Sequence, residues 1–291
     1  MRYVFFGSPK FAAIILEKLI DAGYIPTAVV CNPDRPVGRK KIITPPPVKA
    51  RIMNYELGIR NKIKILQPEK LDEKFHNSLF KIHNSFDFFV VAAYANIISK
   101  QILDIPKLGT IGVHPSILPK HRGSSPIQTA ILNNDEKTGV ALYLMNEKMD
   151  NGPIIAQSKI KITAQNYEKL SEELANNGAD LLIETLPKFL RGEITPKKQD
   201  HNQATFTKKF TTQDAFIEPD ELEKAINIGG EIAVKIYNKI RALNPEPGTW
   251  TLQQAQSKPQ RMKILEAELI DDKKLKLKKI QYEGAPRPKI L

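Results

Sequence analysis

The sequence predicts a parallel-sheet α/β domain followed by a small β-rich domain. Three features of its 291 residues carry that expectation. A strand, a helix and a second strand open the chain. Apolar runs then alternate with amphipathic helical stretches as far as residue 189. A polar, aperiodic stretch at 190–206 follows, and beyond it come helix and short alternating runs. The length suits two domains at about 100–200 residues each.

The elements follow in order. Tyr3-Val-Phe-Phe6 is an apolar run that stops at Gly7. Ser8 is placed to cap a helix with Pro9 in its first position, and Phe11, Ile14, Ile15, Leu19 and Ile20 form its apolar face up to Gly23. Residues 25–31 read as a second strand. A strand–helix–strand unit at this spacing implies parallel pairing with a right-handed crossover. Strands are expected at 63–66, 86–92, 108–114 and 138–145, and helices at 71–83, 125–133 and 167–189. The unbroken apolar run at 86–92 marks a strand covered on both faces. Residues 154–157 suit the second arm of a hairpin. Past residue 207, a helix over 220–243 broken at Gly229-Gly230 precedes alternating runs at 262–269 and 275–282, the pattern of a small barrel-like domain. The expected division is 1–189, a linker at 190–206, and 207–291.

Composition narrows the classes. The chain carries 44 Lys+Arg against 32 Asp+Glu, a net charge of +12, which points to a polyanionic partner. A single cysteine, Cys31, excludes an intramolecular disulfide and a cysteine-based zinc site. No histidine set has metal-ligand spacing, so no metal is expected. Gly7 opens no dinucleotide fingerprint, so NAD is not expected either. Apolar runs are far shorter than the roughly 20 residues needed to cross a bilayer. The N-terminus reads as a strand and turn rather than a signal peptide. A cytoplasmic protein without a membrane partner is expected.

The most informative stretch runs from residue 108 to 128. An apolar strand ends on His114, and Pro115 and Pro119 forbid regular structure after it. Ligands in open α/β sheets bind outside the carboxyl ends of the strands. His114 stands at such an end, where it is either a functional imidazole or a hydrogen-bonded strand terminator. Asp150 lies in Asp150-Asn-Gly-Pro153, which is also ordinary turn chemistry. Together the two suggest an acid–imidazole pair in a cleft.

Five blocks occur in order: Phe6-Gly-Ser-Pro-Lys-Phe11, Asn32-Pro-Asp-Arg-Pro-Val-Gly-Arg39, Val113-His-Pro-Ser-Ile-Leu-Pro119, Arg122-Gly-Ser-Ser-Pro-Ile-Gln128 and Asp150-Asn-Gly152. With them the chain resembles the methionyl-tRNA formyltransferases, within the 10-formyltetrahydrofolate-dependent formyltransferase superfamily. The resemblance covers nearly the whole chain and is densest over residues 1–160. It implies a Rossmann-like formyltransferase domain joined to a C-terminal open β-barrel that binds tRNA. It implies transfer of a formyl group from 10-formyltetrahydrofolate to the α-amine of methionyl initiator tRNA, for translation initiation, with no need of a metal; a monomer is expected. His114 and Asp150 match the catalytic positions. Ser116, Ile117, Leu118 and Pro119 match the folate-contacting segment, and Val91, Tyr94 and Ala95 the strand against which the pterin packs.

The chain departs from the family at two places. The family carries Asn two residues before the histidine, and this chain has Gly112. The missing amide is a donor to the formyl oxygen, and losing one such donor costs on the order of 10²–10³ in rate. Three accounts stand side by side: a substitute donor such as Asn151, Asn96 or a water, a slow enzyme, or a tRNA binder with weakened catalysis. The second departure is Ala95, where the family usually has glycine.

Residues 35–51 hold Arg35, Arg39, Lys40, Lys41, Lys49 and Arg51 and no acid, and Pro36, Gly38 and Pro45-Pro-Pro47 make the segment read as a loop. A solvated basic loop is the commoner fate of such a run. The resemblance assigns it to the acceptor stem of the tRNA, with Arg39, Lys40 and Lys41 as contacts. Residues 207–291 add sixteen basic against twelve acidic residues. Another folate-dependent formyltransferase or hydrolase, acting on a small substrate, would need no such extended positive surface.

Overall fold

The computed structural model describes residues 1–38, 40–253 and 259–291, with Asp272 through its backbone alone. In chain order the elements are β1 (Tyr3–Phe6), α1 (Lys10–Asp21), β2 (Ala28–Val30), β3 (Arg35–Val37), β4 (Ile42–Thr44), α2 (Pro47–Met53), α3 (Leu57–Arg60), β5 (Lys64–Leu66), α4 (Glu73–Ile82) and β6 (Phe88–Ala92). There follow α5 (Lys100–Leu103), β7 (Thr110–His114), β8 (Arg122–Gly123), α6 (Pro126–Leu132), β9 (Lys137–Leu144), β10 (Ile154–Lys161) and α7 (Tyr167–Leu190). The last are β11 (Phe206–Thr207), α8 (Pro219–Asn227), α9 (Glu231–Leu243), β12 (Trp250–Gln253), β13 (Gln260–Leu269), β14 (Leu275–Tyr282) and β15 (Lys289–Ile290).

The chain forms two compact units. Met1–Arg122, Gly139–Ile160 and Ser171–Phe206 make the first, and Gly123–Thr138, Lys161–Leu170 and Thr207–Leu291 the second. A sheet in the order β10-β9-β7-β6-β1-β2-β5 spans the first unit. The pairs β1·β2, β1·β6, β2·β5 and β6·β7 are parallel, whereas β9 runs antiparallel to β7. The expected Rossmann-like sheet is thus present, with an antiparallel edge.

Its central strands are buried along their whole length, which explains their uninterrupted apolar sequence. Phe6, Phe75, Phe86 and Phe89 pack in one layer with Val4, Val30 and Leu79. Each fully buried Phe there contributes about 1.5–3 kcal/mol relative to exposure. On α1, Ile15, Leu16 and Leu19 are wholly buried. That helix ends in a Schellman turn: Gly23 sits at φ +85°, its N–H donates to Ile20, and the Tyr24 N–H donates to Leu19. Ser8 is not the cap expected of it. Pro9 occupies the N-cap, and the Ser8 hydroxyl accepts from the Asn32 N–H at 3.0 Å, one residue too early in the chain to reach the helix.

The basic segment is not a plain loop. Three-residue strands β3 and β4 pair antiparallel across a turn, with Arg35 opposite Thr44, and the segment runs into α2. Proline and glycine obscured strands this short and exposed. Lys40 and Lys41 are exposed at the turn, with Lys41 at φ +48°. Arg39 lies outside the described residues. Arg35 pairs with Glu69 at 2.5 Å, Lys49 with Asp34 at 2.8 Å and Arg51 with Glu17 at 2.9 Å.

The second unit holds the antiparallel sheet β12-β13-β14-β15 with α8 and α9 packed on it through Ile217, Leu222, Ile236, Ile240, Ile264 and Ile280. Helix α9 also carries the buried Arg241, which donates to the Thr163 and Gln165 carbonyls and to Asn238 Oδ1. Trp250 packs tilted against Phe216, 4.5 Å between ring centres, and the Arg261 guanidinium lies over its ring at 4.2 Å.

Candidate active site

Strand β7 ends on His114, and its register builds the site. Gly112 lies directly opposite Tyr143 of β9, and His114 opposite Ala141. Side chains two apart on a strand share a face, as do cross-strand partners. Gly112, His114, Ala141 and Tyr143 therefore face the same way. Because β9 is antiparallel to β7, its carboxyl end at Leu144 lies beside Ile111. The loop after β9 then has to return toward His114, and it does so through Asp150.

That return needs two unusual backbone positions. Asp150 adopts φ +50°. Gly152 packs so closely on β9 that a Cβ there would stand 1.7 Å from the Leu144 carbonyl oxygen. Gln199 clamps the same loop, donating to the carbonyls of Asp150 at 2.9 Å and Gly152 at 2.7 Å. Its own Oε1 accepts from the buried Arg122 guanidinium. Thr205 Oγ1 accepts from the His121 N–H at 2.8 Å, and His201 Nδ1 lies 3.0 Å from Arg122 Nη2. The stretch expected as a linker thus lines the back of the site.

The Asp150 carboxylate lies between two side chains. Its Oδ2 stands 3.6 Å from His114 Nδ1, and its Oδ1 accepts a 2.8 Å hydrogen bond from the Tyr143 hydroxyl. His114 Nε2 lies 2.9 Å from the His121 carbonyl. A carbonyl only accepts, so Nε2 carries a proton and Nδ1 is the nitrogen that faces the carboxylate. His121 holds this carbonyl in place from φ +59°. Burial, reinforced by the Asp150 charge, pushes the Tyr143 phenol well above the ordinary tyrosine range, so at neutral pH it is a donor.

The remaining expected residues divide into buried and accessible. Ser116 is wholly buried and its hydroxyl donates to the Lys120 carbonyl at 2.6 Å. Leu118 packs against Ala141 and Tyr143. Ile117 and Pro119 are half-buried. Val91 pairs with Gly112 across β6·β7 and is buried. Tyr94 is half-buried, edge-on to Phe6 with 5.7 Å between ring centres, and Ala95 is exposed. Burial also raises the Tyr94 phenol, which accepts from Asn96 at 3.3 Å. A cavity of about 470 Å³ lined by Leu66, Gln67, Phe75 and neighbours shares none of these residues. Among the described residues, no three His, Cys, Asp or Glu side chains are grouped to hold a metal.

Sequence reasoning missed Tyr143, Gln199 and the His121 carbonyl. Tyr143 alone left a trace, since it alternates in step with Ala141 on a strand that leads to Asp150.

The family model "Formyl transferase" matches residues 1–188, and "Formyl transferase, C-terminal domain" matches residues 223–284. A methionyl-tRNA formyltransferase of Bacillus licheniformis is 40% identical over 257 residues, 88% of this chain and 76% of the relative. The structure of a methionyl-tRNA formyltransferase from Clostridium thermocellum matches 97% of this chain and 98% of its own, with a TM-score of 0.60 at 17% identity. An N-formyltransferase from Helicobacter canadensis, solved with folinic acid and dTDP-3-aminofucose, matches 92% of this chain and 88% of its own, with a TM-score of 0.59 at 20% identity. At such identities the solved structures speak for the fold. The family model spans over half of the sequence, and the curated relative extends the match at 40% identity. On those grounds the chain belongs to the formyl transferase family.

Proposed function

We propose that this enzyme transfers a formyl group from 10-formyltetrahydrofolate to the α-amine of methionyl initiator tRNA. The observation that carries the proposal is the His114–Asp150 pair, closed at the end of β7 in a chain 40% identical to a relative of that activity. The amine nitrogen attacks the formyl carbon, a C–N bond forms, and the bond from that carbon to N10 breaks. One proton leaves the amine and one arrives at N10, so no further reactant is needed. His114 and Asp150 hold and pass that proton. Nε2 is committed to the His121 carbonyl, so the exchange with the carboxylate runs through Nδ1. A positioned base of this kind contributes about 10²–10⁴-fold.

The folate would lie along Val91, Tyr94 and Ala95 and the 116–119 segment. Ile117, Pro119, Tyr94 and Ala95 have surface to offer it, while Ser116 and Leu118 shape the segment from within. Arg39, Lys40 and Lys41 would contact tRNA phosphates, and residues 207–291 would add to that contact. The reading includes a monomer working in the cytoplasm, with 1–189 as catalytic domain, 190–206 as linker and 207–291 as tRNA-binding domain. No described helix is long and apolar enough to cross a membrane.

The test is formylation of methionyl initiator tRNA with purified protein and 10-formyltetrahydrofolate, beside tRNA binding by the wild type and Arg39→Ala. Product formation with binding that collapses in the variant is expected. Product with binding that does not depend on Arg39 would remove Arg39 from the tRNA contacts, and neither product nor tRNA binding would favour a small-molecule substrate. Binding without product would favour a tRNA binder that has lost catalysis.

A further inference from the structure

Gly112 and Tyr143 are a fitted pair. They face each other across β7·β9. A Cβ built on Gly112 would stand 2.4 Å from Tyr143 Cε1, 2.6 Å from Cζ and 2.9 Å from the hydroxyl oxygen. The phenol therefore occupies the volume that a side chain at 112 would need. A glycine inside a strand commonly marks such a close approach. From that volume the Tyr143 hydroxyl reaches Asp150 Oδ1 at 2.8 Å, and the other carboxylate oxygen faces His114. Tyr143 is 4% exposed, packed by Leu118 and Ala141, so its ring is held where it lies.

We infer that Tyr143 is a positioning residue of the active site, holding the Asp150 carboxylate toward His114 from the space left by Gly112. A phenol has a single proton, and here it goes to Asp150. Tyr143 thus acts through the carboxylate rather than as a donor to the formyl oxygen. The hydrogen bond fixes which oxygen of Asp150 is left for His114. An O–H donor to a carboxylate is among the stronger bonds a buried site can make. Gly112 then has a function of its own, since any larger residue evicts the ring. The kinetic part of this inference rests on the formyl-transfer reading; the structural part does not.

The experiment compares wild type, Tyr143→Phe, Gly112→Ala, Asp150→Ala and the double variant Tyr143→Phe/Asp150→Ala. The first readout is formyl transfer. The second is the ¹⁵N spectrum of the His114 ring, assigned with His114→Gln, which requires no turnover. Tyr143→Phe should lower kcat by about tenfold with KM for both substrates within about twofold, and should shift the His114 ring signals while leaving those of His76 in place. Gly112→Ala should reproduce both effects, because the ring must swing its hydroxyl away. In the Asp150→Ala background, Tyr143→Phe should change kcat by less than about twofold, since the partner through which it acts is gone. Unchanged His114 signals in Tyr143→Phe would overturn the inference, as would a full kinetic effect that persists without Asp150. Should the wild type transfer no formyl group while the His114 signals still respond to Tyr143→Phe, the positioning contact stands and the assigned reaction falls.

Discussion

Gln199 holds Asp150 by its main chain: the side-chain amide donates at 2.9 Å to the carbonyl of the residue whose carboxylate faces His114. The same amide holds Gly152, and its oxygen is held by Arg122. Asp150 therefore has its backbone fixed from one side and its carboxylate from the other.

Replacing Gln199 with Leu removes the hydrogen bonds to the Asp150 and Gly152 carbonyls and the one accepted from Arg122, all at a buried side chain. Losing buried hydrogen bonds in this way costs about 1–3 kcal/mol. Thermal melts should show that loss, and formyl transfer should fall as the loop loosens. An unchanged melt together with an unchanged rate would refute the clamp.

Gly152→Ala and Gly23→Ala should separate two reasons for a glycine. At 152 an added Cβ meets the Leu144 backbone oxygen at 1.7 Å, and backbone has nowhere to go. The loop must rearrange, with loss of both stability and formyl transfer. At 23 no atom lies within 4 Å, and only the φ of +85° is at stake. That strain costs about 1–2 kcal/mol and should leave the rate untouched. Paired denaturation and rate measurements check both.

Acid should erase one surface contribution in a defined window. The Lys208 ammonium, with help from the Thr211 N–H and hydroxyl, lowers the Asp214 carboxyl to about 2. Its folded value lies below its unfolded one, so the stabilisation is present above the unfolded value near 3.9 and is lost as pH falls toward 2. Asp214→Asn should melt earlier than wild type at neutral pH, and the gap should close between about pH 4 and pH 2. A gap of constant size throughout would contradict the assignment.

Removing the exposed charge of Lys40 or Lys41 should weaken tRNA binding without touching the acid–imidazole pair. For a phosphate contact, each substitution to Ala should reduce the salt slope of the binding constant by about one. Titrations over a range of salt concentrations measure it directly. An unaltered slope in both variants would remove the turn of the basic hairpin from the tRNA interface.

The central strands were legible because parallel strands buried on both faces leave unbroken apolar runs, as at 86–92. The α1 terminus was legible because Gly23 is local chemistry. His114 was found because prolines 115 and 119 mark where a strand must end. The hairpin β3·β4 was not, since three exposed residues per strand leave no periodic trace among Pro36, Gly38 and Pro45. Tyr143 and Gln199 were hidden for a different reason. Their roles depend on a cross-strand register and on a contact 49 residues away, and neither is written in any local window.

The cross-strand fit of Gly112 and Tyr143 also constrains how this sequence can change over time. A larger residue at 112 is expected to be harmful while the tyrosine stands, and loss of the tyrosine to be harmful while the glycine leaves its space empty. The fit predicts sign epistasis between the two positions: each change alone should lower activity, and only the pair together should restore a filled site. A lineage can move between a glycine–tyrosine and a side-chain-bearing solution only across that valley, so the two residues should be inherited as a unit.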